Sequence, residues 1–225
     1  MKYVISDIHG CYDKYIHMLE KIDLRAEDTL YVLGDVLDRG PQGIKIIEDI
    51  ARRQNVILLC GNHERTAEEM LKLYSDSLSS GEKLPPEFEE WLRHGGASTA
   101  REFICMSPQK QHWLLQYLDS LPRFAEEEVF GQKYFLAHTV PEKRRMLHKK
   151  ELCEDDFLWG EPEYEVLYYK RTVIVTGHTP TNLIDESFCG KIWRGNNHIA
   201  IDCGAAYGGR LGCIRLDDMA AEFYA

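Results

Sequence analysis

Five stretches of this chain share one form: a short run rich in Val, Ile, Leu or Tyr that stops on a residue type able to bind a metal ion. Residues 2–6 lead to Asp7 and His9, 29–33 to Asp35, 55–60 to Asn62, 132–137 to His138, and 172–176 to His178. Runs of this length and composition predict strands. In an α/β sheet the carboxyl ends of strands lie along one edge, so groups far apart in sequence converge there. Asp7 and His9, two apart in extended chain, face the same side. Gly34, Gly61 and Gly177 stand immediately before Asp35, Asn62 and His178, and Gly40 follows Asp38-Arg39, which permits tight turns and close backbone approach. The expected result is a site of three carboxylate or amide groups and three imidazoles. That donor set suits manganese, iron or zinc rather than calcium.

The runs at 2–6, 29–33 and 55–60 are each followed by a helical pattern, giving a βαβ rhythm. Pro41 suits the first position of a helix in which Ile44, Ile47, Ile50 and Ala51 recur at helical spacing, ending near Arg53. From about Glu64 to Leu121 the pattern is mostly helical, with Met70, Leu71 and Tyr74 on one segment and Trp113, Leu114, Tyr117, Leu118 and Leu121 on another. Serines, a glycine and two prolines predict a loop over 75–86. Further strands are expected at 123–130, 198–202, 211–216 and 220–224, with Gly131 in a tight turn. With 225 residues, 44% of them apolar, the chain is sized for one domain with a substantial core. The expected fold is α/β, a single domain over 1–225 with a helical insertion at about 65–121.

Lys and Arg number 27 against 37 Asp and Glu, and the basic residues are scattered, so no stripe is available for a nucleic-acid backbone. An anionic substrate must therefore be drawn in by local positive charge, which bound metal ions would supply. Seven cysteines include no C-x-x-C pair, which argues against a disulfide framework or structural zinc and for reduced, mostly buried thiols. The opening apolar run is far too short for a signal peptide or membrane span, so a soluble, cytoplasmic protein is expected.

Each motif alone is weak, but their order is specific: D-x-H at 7–9, G-D-x-x-D-R-G at 34–40, G-N-H-E at 61–64, His138, and G-H-T-P at 177–180. This order resembles the phosphoprotein phosphatase family, within the wider metallophosphoesterases; the Asp38-Arg39-Gly40 ending narrows it to that family. The likeness continues at Ile201-Asp202-Cys203-Gly204. It implies a central β-sandwich flanked by helices, with the insertion as a lid or wall. It also implies a dinuclear centre: Asp7 and His9 on the first metal, Asn62, His138 and His178 on the second, Asp35 bridging, and manganese ahead of iron or zinc. A metal-bridging hydroxide would attack phosphorus directly, with no phosphoenzyme. His63 is then the general acid, Asp38 orients it, and Arg39 grips phosphate oxygens. A second phosphate-binding arginine falls to Arg144 or Arg145, and Tyr207 matches an aromatic residue near the family's site. After His138 the chain departs from the pattern with Thr139-Val140-Pro141, beside the second metal. The remaining histidines, 17, 94, 112, 148 and 198, are expected at the surface or in structural roles.

Serine/threonine phosphoprotein hydrolysis is the leading expectation. Symmetrical hydrolysis of diadenosine tetraphosphate is the alternative, since Gly204-Ala205-Ala206-Tyr207-Gly208-Gly209-Arg210-Leu211 is very similar to a segment of those enzymes. Base-stacking aromatics around an enclosed cavity would favour the dinucleotide, and an open groove the phosphoprotein. Trp91, Trp113, Trp159 and Trp193 are available, with core packing the expected role. A non-catalytic scaffold would have lost a ligand; none of the six is missing.

Overall fold

The computed structural model describes residues 1–218 and 222–225. One five-stranded sheet contains β1 (Lys2–Ile5), β2 (Thr29–Val32) and β3 (Val56–Leu58) in parallel, continued antiparallel on the β1 side by β9 (Gly212–Arg215) and β10 (Glu222–Tyr224). The other runs β4 (Phe124–Val129), β5 (Gln132–Ala137), β6 (Thr172–Thr176), β8 (His198–Ala200), β7 (Trp193–Gly195), with β5, β6 and β8 parallel. The expected α/β fold is thus present, as two mixed sheets packed together and flanked by helices.

Side-chain alternation builds the layers. In β1, Val4 points between the sheets while Tyr3 and Ile5 point to the helices; Tyr31 points between the sheets, Leu30 and Val32 away. In the second sheet Tyr134, Leu136, Val173 and Val175 face the first, and Phe135, Ala137 and Ile174 face outward. Both faces are covered, which is why these strands read as continuous apolar runs. The outer face of the first sheet packs on α1 (Tyr12–Lys21), α2 (Gly43–Arg52), α3 (Asn62–Ser80) and the helices that follow it, α4 (Pro86–Trp91), α5 (Ala97–Ile104) and α6 (Pro108–Asp119). The outer face of the second packs on Met146 of α7 (Lys143–Leu147) and Phe157 of α8 (Asp155–Leu158).

Several expectations need correction. Pro41 lies outside α2, which starts two residues later with Gln42 as its N-cap. The loop expected at 75–86 is helical as far as Ser80: the Ser75 and Ser79 hydroxyls donate to the carbonyls of Leu71 and Ser75, four residues back, and left-handed Gly81 ends the helix. Strand β7 has no counterpart in the sequence reading. Its three residues carry no alternation, and its signal is the Asn196-Asn197 turn, both residues at positive φ. Ala220, where the last strand was expected to begin, lies outside the described residues. Cys60, Cys203 and Cys213 are buried free thiols, but Cys105, Cys153 and Cys189 are exposed. Among the described residues no helix is long and apolar enough to cross a membrane.

Candidate metal centre

The five runs are divided between the two sheets and not gathered on one sheet edge, and their polar residues meet where the two sheets' strand ends adjoin. Asp7, His9, Asp35, Asp38, Arg39 and His178 all adopt positive φ, making six of the ten non-glycine residues that do so among the described residues. Such conformations cost about 1 kcal/mol or more each and persist where the surroundings over-determine them. Backbone bonds tie the loops together: Asp7 N–H to the Gly34 carbonyl at 3.1 Å, His9 N–H to the Asp35 carbonyl at 2.9 Å, and Gly177 N–H to the His138 carbonyl at 3.0 Å. Glycine is required where they cross, because a Cβ on Gly61 would overlap Asp35 Oδ1 and one on Gly177 would overlap Asp7 Oδ2.

Asp35 stands at the middle with its two oxygens turned to different groups. Oδ1 is 3.5 Å from His138 Nε2, and Oδ2 is 3.5 Å from His9 Nε2 and 3.9 Å from His63 Nε2. Possible ligand atoms of Asp35, His138 and His178 lie within 4.8 Å of one another, as do those of His9, Asp35 and His63. Asn62 opens α3, and its Oδ1 lies 2.8 Å from His138 Nε2 and 3.1 Å from His178 Nδ1, which are themselves 2.9 Å apart. His138 Nδ1 is committed to the Leu33 carbonyl at 2.9 Å and His9 Nδ1 to the Leu37 carbonyl at 2.8 Å, so both Nε2 lone pairs face the centre. Asp7 does not join either group at that range; its carboxylate accepts the His178 N–H at 3.0 Å.

These groups fit cations. Asn62 Oδ1 and the two facing imidazole nitrogens are acceptors crowded together with few protons to share between them. Burial, then the Asp202 and Asp35 carboxylates, raise the Asp7 carboxyl well above its ordinary value, and burial pushes Asp202 up to about 6. Burial opposes ionisation of Asp35 too, but His138, His63, His9 and His178 hold it below the usual range. Burial lowers His9 and His178 to about 4 and keeps His138 low, the neutral state a metal ligand needs. His63 differs: burial works against its protonation, yet the Asp35 and Asp38 carboxylates outweigh that and raise it. Its Nδ1 donates to Asp38 Oδ2 at 2.7 Å, leaving Nε2 toward the centre.

A cavity of about 640 Å³ opens over the centre, lined by Arg39, Asn62, His63, His178, Trp91, Trp159 and Tyr207 among others. The Arg39 guanidinium lies against His9 Nε2 and 4.9 Å over the Tyr207 ring. Neither Arg144 nor Arg145 is among the described residues lining it, and Arg145 pairs with Asp156. The profile of the calcineurin-like phosphoesterases matches residues 3–182. The chain belongs to that family. It is therefore a metallophosphoesterase, a hydrolase of a family that works with divalent metal ions. A symmetrical bis(5'-nucleosyl)-tetraphosphatase of Neisseria gonorrhoeae is 25% identical over 96% of the chain and 92% of the relative. One from Delftia acidovorans is 29% identical over 57% of the chain, which spans 48% of that relative's length. In fold, the phosphoesterase is similar over its whole length, and 92% of the other chain, to a crystal structure provisionally assigned as a diadenosine tetraphosphatase (TM-score 0.67, 17% identity). It is also similar to a protein serine/threonine phosphatase of Saccharomyces cerevisiae (TM-score 0.58, 16% identity, 94% of this chain and 71% of the other).

Several residues of the phosphoesterase site escaped the sequence reading. Glu64, the last residue of G-N-H-E, is fully buried and accepts backbone N–H groups from Asp35 (2.6 Å), Val36 (2.8 Å), Leu37 (3.0 Å) and Gly61 (3.0 Å). It thus fixes the loop that carries Asp35 and Asp38 to the start of α3; its place at the third helical position was the available signal. Glu64→Ala strands these donors, at about 1–3 kcal/mol each, and is expected to lower stability by about 4 kcal/mol, read as a fall in urea midpoint at unchanged slope. Trp159 was expected in the core but is 53% exposed at the cavity, edge-on to His178 at 6.5 Å. The departure after His138 places it: Thr139 Oγ1 donates to the Gly160 carbonyl at 2.9 Å. Trp193 is buried as expected, and Trp113 is partly buried, stacked on Tyr117. His198 is buried, its Nε2 2.9 Å from Thr176 Oγ1; exposed His94 lines the cavity.

Proposed function

We propose that this phosphoesterase hydrolyses a dinucleoside polyphosphate, cutting its phosphoanhydride bridge symmetrically. The observation that carries this reading is the cavity itself, where two exposed aromatic rings, Trp159 beside His178 and Tyr207 beside Arg39, flank the centre. Trp159 is 53% and Tyr207 64% exposed, as rings that stack bases would be. The names of the relatives that align over nearly the whole chain support the same substrate. Protein phosphatase activity, the leading expectation from sequence, rests on a likeness of fold alone.

In this reading Asp7, His9, Asp35, Asn62, His138 and His178 hold two divalent cations, manganese by donor type with iron or zinc as substitutes. When bound, such a pair supplies charge neutralisation, polarisation of a phosphoryl oxygen and a nucleophile at neutral pH. Arg39 holds non-bridging phosphate oxygens, its plane set by Tyr207. Asp38 holds His63 protonated, and His63 Nε2 donates its proton to the departing phosphate oxygen. Trp159 and Tyr207 stack the bases and fix the register of the chain between them.

The test is turnover of metal-stripped protein with manganese restored, side by side on diadenosine tetraphosphate and on a phosphoserine/phosphothreonine peptide. Faster dinucleotide cleavage, yielding two diphosphates, is expected; faster peptide turnover would overturn the reading. Trp159→Ala should lower kcat/KM for the dinucleotide by about 10-fold to 100-fold, the 1–3 kcal/mol of one base stack, and much less for the peptide. Equal losses on both would contradict the role of the ring.

A further inference from the structure

We infer that Trp91 and Thr99, both from the helical insertion, are positioning residues for the Asp38–His63 pair, so that the insertion forms part of the acid apparatus and not merely a cover. The inference rests on the acid role proposed for His63.

Asp38 is fully buried, and three side chains take up its carboxylate. Oδ1 accepts the Thr99 hydroxyl at 2.6 Å, while Oδ2 accepts His63 Nδ1–H at 2.7 Å and Trp91 Nε1–H at 2.9 Å. Thr99 Oγ1 in turn accepts the Asp38 backbone N–H at 2.9 Å. A carboxylate bound only to His63 could rotate and take the imidazole with it. With donors on both oxygens it is fixed, and His63 Nε2 is fixed with it.

The local sequence is shaped for this contact. Trp91 ends α4 and Thr99 lies in the first turn of α5, on either side of a kinked turn at Leu92–Gly96. Gly95, at φ 117°, makes the kink and presents its carbonyl to the Arg39 N–H at 2.9 Å. Gly96 packs against the Trp91 indole, where a Cβ would overlap the ring. One short segment therefore holds the Asp38 side chain and the Arg39 backbone together.

The test uses manganese-loaded full-length protein and three variants. Trp91→Phe keeps the ring and loses its N–H, Thr99→Val keeps the shape and loses the hydroxyl, and Thr99→Ser keeps the hydroxyl. Trp91→Phe and Thr99→Val should each lower kcat by about 10-fold or more, the scale of a hydrogen bond to a charged group, with KM little changed. The loss should be larger on phenyl phosphate than on p-nitrophenyl phosphate, whose leaving group needs less protonation, and Thr99→Ser should recover most of the rate. In a His63→Asn background both substitutions should have little further effect, because residues acting as one unit are non-additive. Equal losses on the two esters, or undiminished losses in the His63→Asn background, would overturn the inference. If His63→Asn itself discriminates no more between the esters than wild type does, the acid role fails and the inference with it. Thermal unfolding is followed in parallel; should Thr99→Val not fold, Trp91→Phe carries the test.

Discussion

Asp35→Asn is expected to lose at least one of two bound metal ions and about 10⁴-fold or more in kcat/KM. Its two oxygens face different groups, Oδ1 toward His138 and Oδ2 toward His9 and His63, so replacing one oxygen by an amide removes a ligand from one side and half the charge-sharing from the other. A bound cation supplies several kcal/mol to charge stabilisation, and about 1.4 kcal/mol is one decade in rate. Metal content after gel filtration and steady-state rates check the two parts. A variant that keeps both ions and most of its rate would remove Asp35 from the bridging position.

His63→Asn is expected to keep both metal ions while turnover falls by about 10²–10⁴-fold, the range of a positioned acid or base. The side chain reaches the centre only by Nε2, 3.9 Å from Asp35 Oδ2, and its other nitrogen is bound to Asp38. Metal content separates this effect from that of Asp35→Asn. A variant that lost a metal ion would make His63 a ligand, a reading its grouping with His9 and Asp35 leaves physically available.

Most of the centre was legible in the sequence because strand ends impose it. A run such as Thr172–Thr176 has to put its next residues at the sheet edge; parallel β1, β2 and β3 bring Asp7, Asp35 and Asn62 to one edge of the first sheet and parallel β5 and β6 bring His138 and His178 to one edge of the second, while the meeting of the two edges is a property of the packed sheets and not of any one run. Glycines at 34, 61 and 177 marked where the loops cross. What could not be read were contacts made across the fold. Trp91 and Thr99 meet Asp38 from 53 and 61 residues away, and nothing local distinguishes a tryptophan bound for the core from one bound for a carboxylate. Trp159 illustrates the same limit in reverse: its apolar neighbours Phe157 and Leu158 are buried, while the ring itself faces the cavity. Ser75–Ser80 misled because serine favours turns by bonding to the backbone, and here its hydroxyls bond within the helix instead.

The account stands on two cations sharing Asp35, and the most direct test is electron paramagnetic resonance of the manganese-reconstituted protein with quantified spin. Two ions per chain with the spectrum of an exchange-coupled pair is the predicted result. One ion per chain, or two with the spectrum of isolated manganese, would contradict the shared carboxylate and the dinuclear centre built on it.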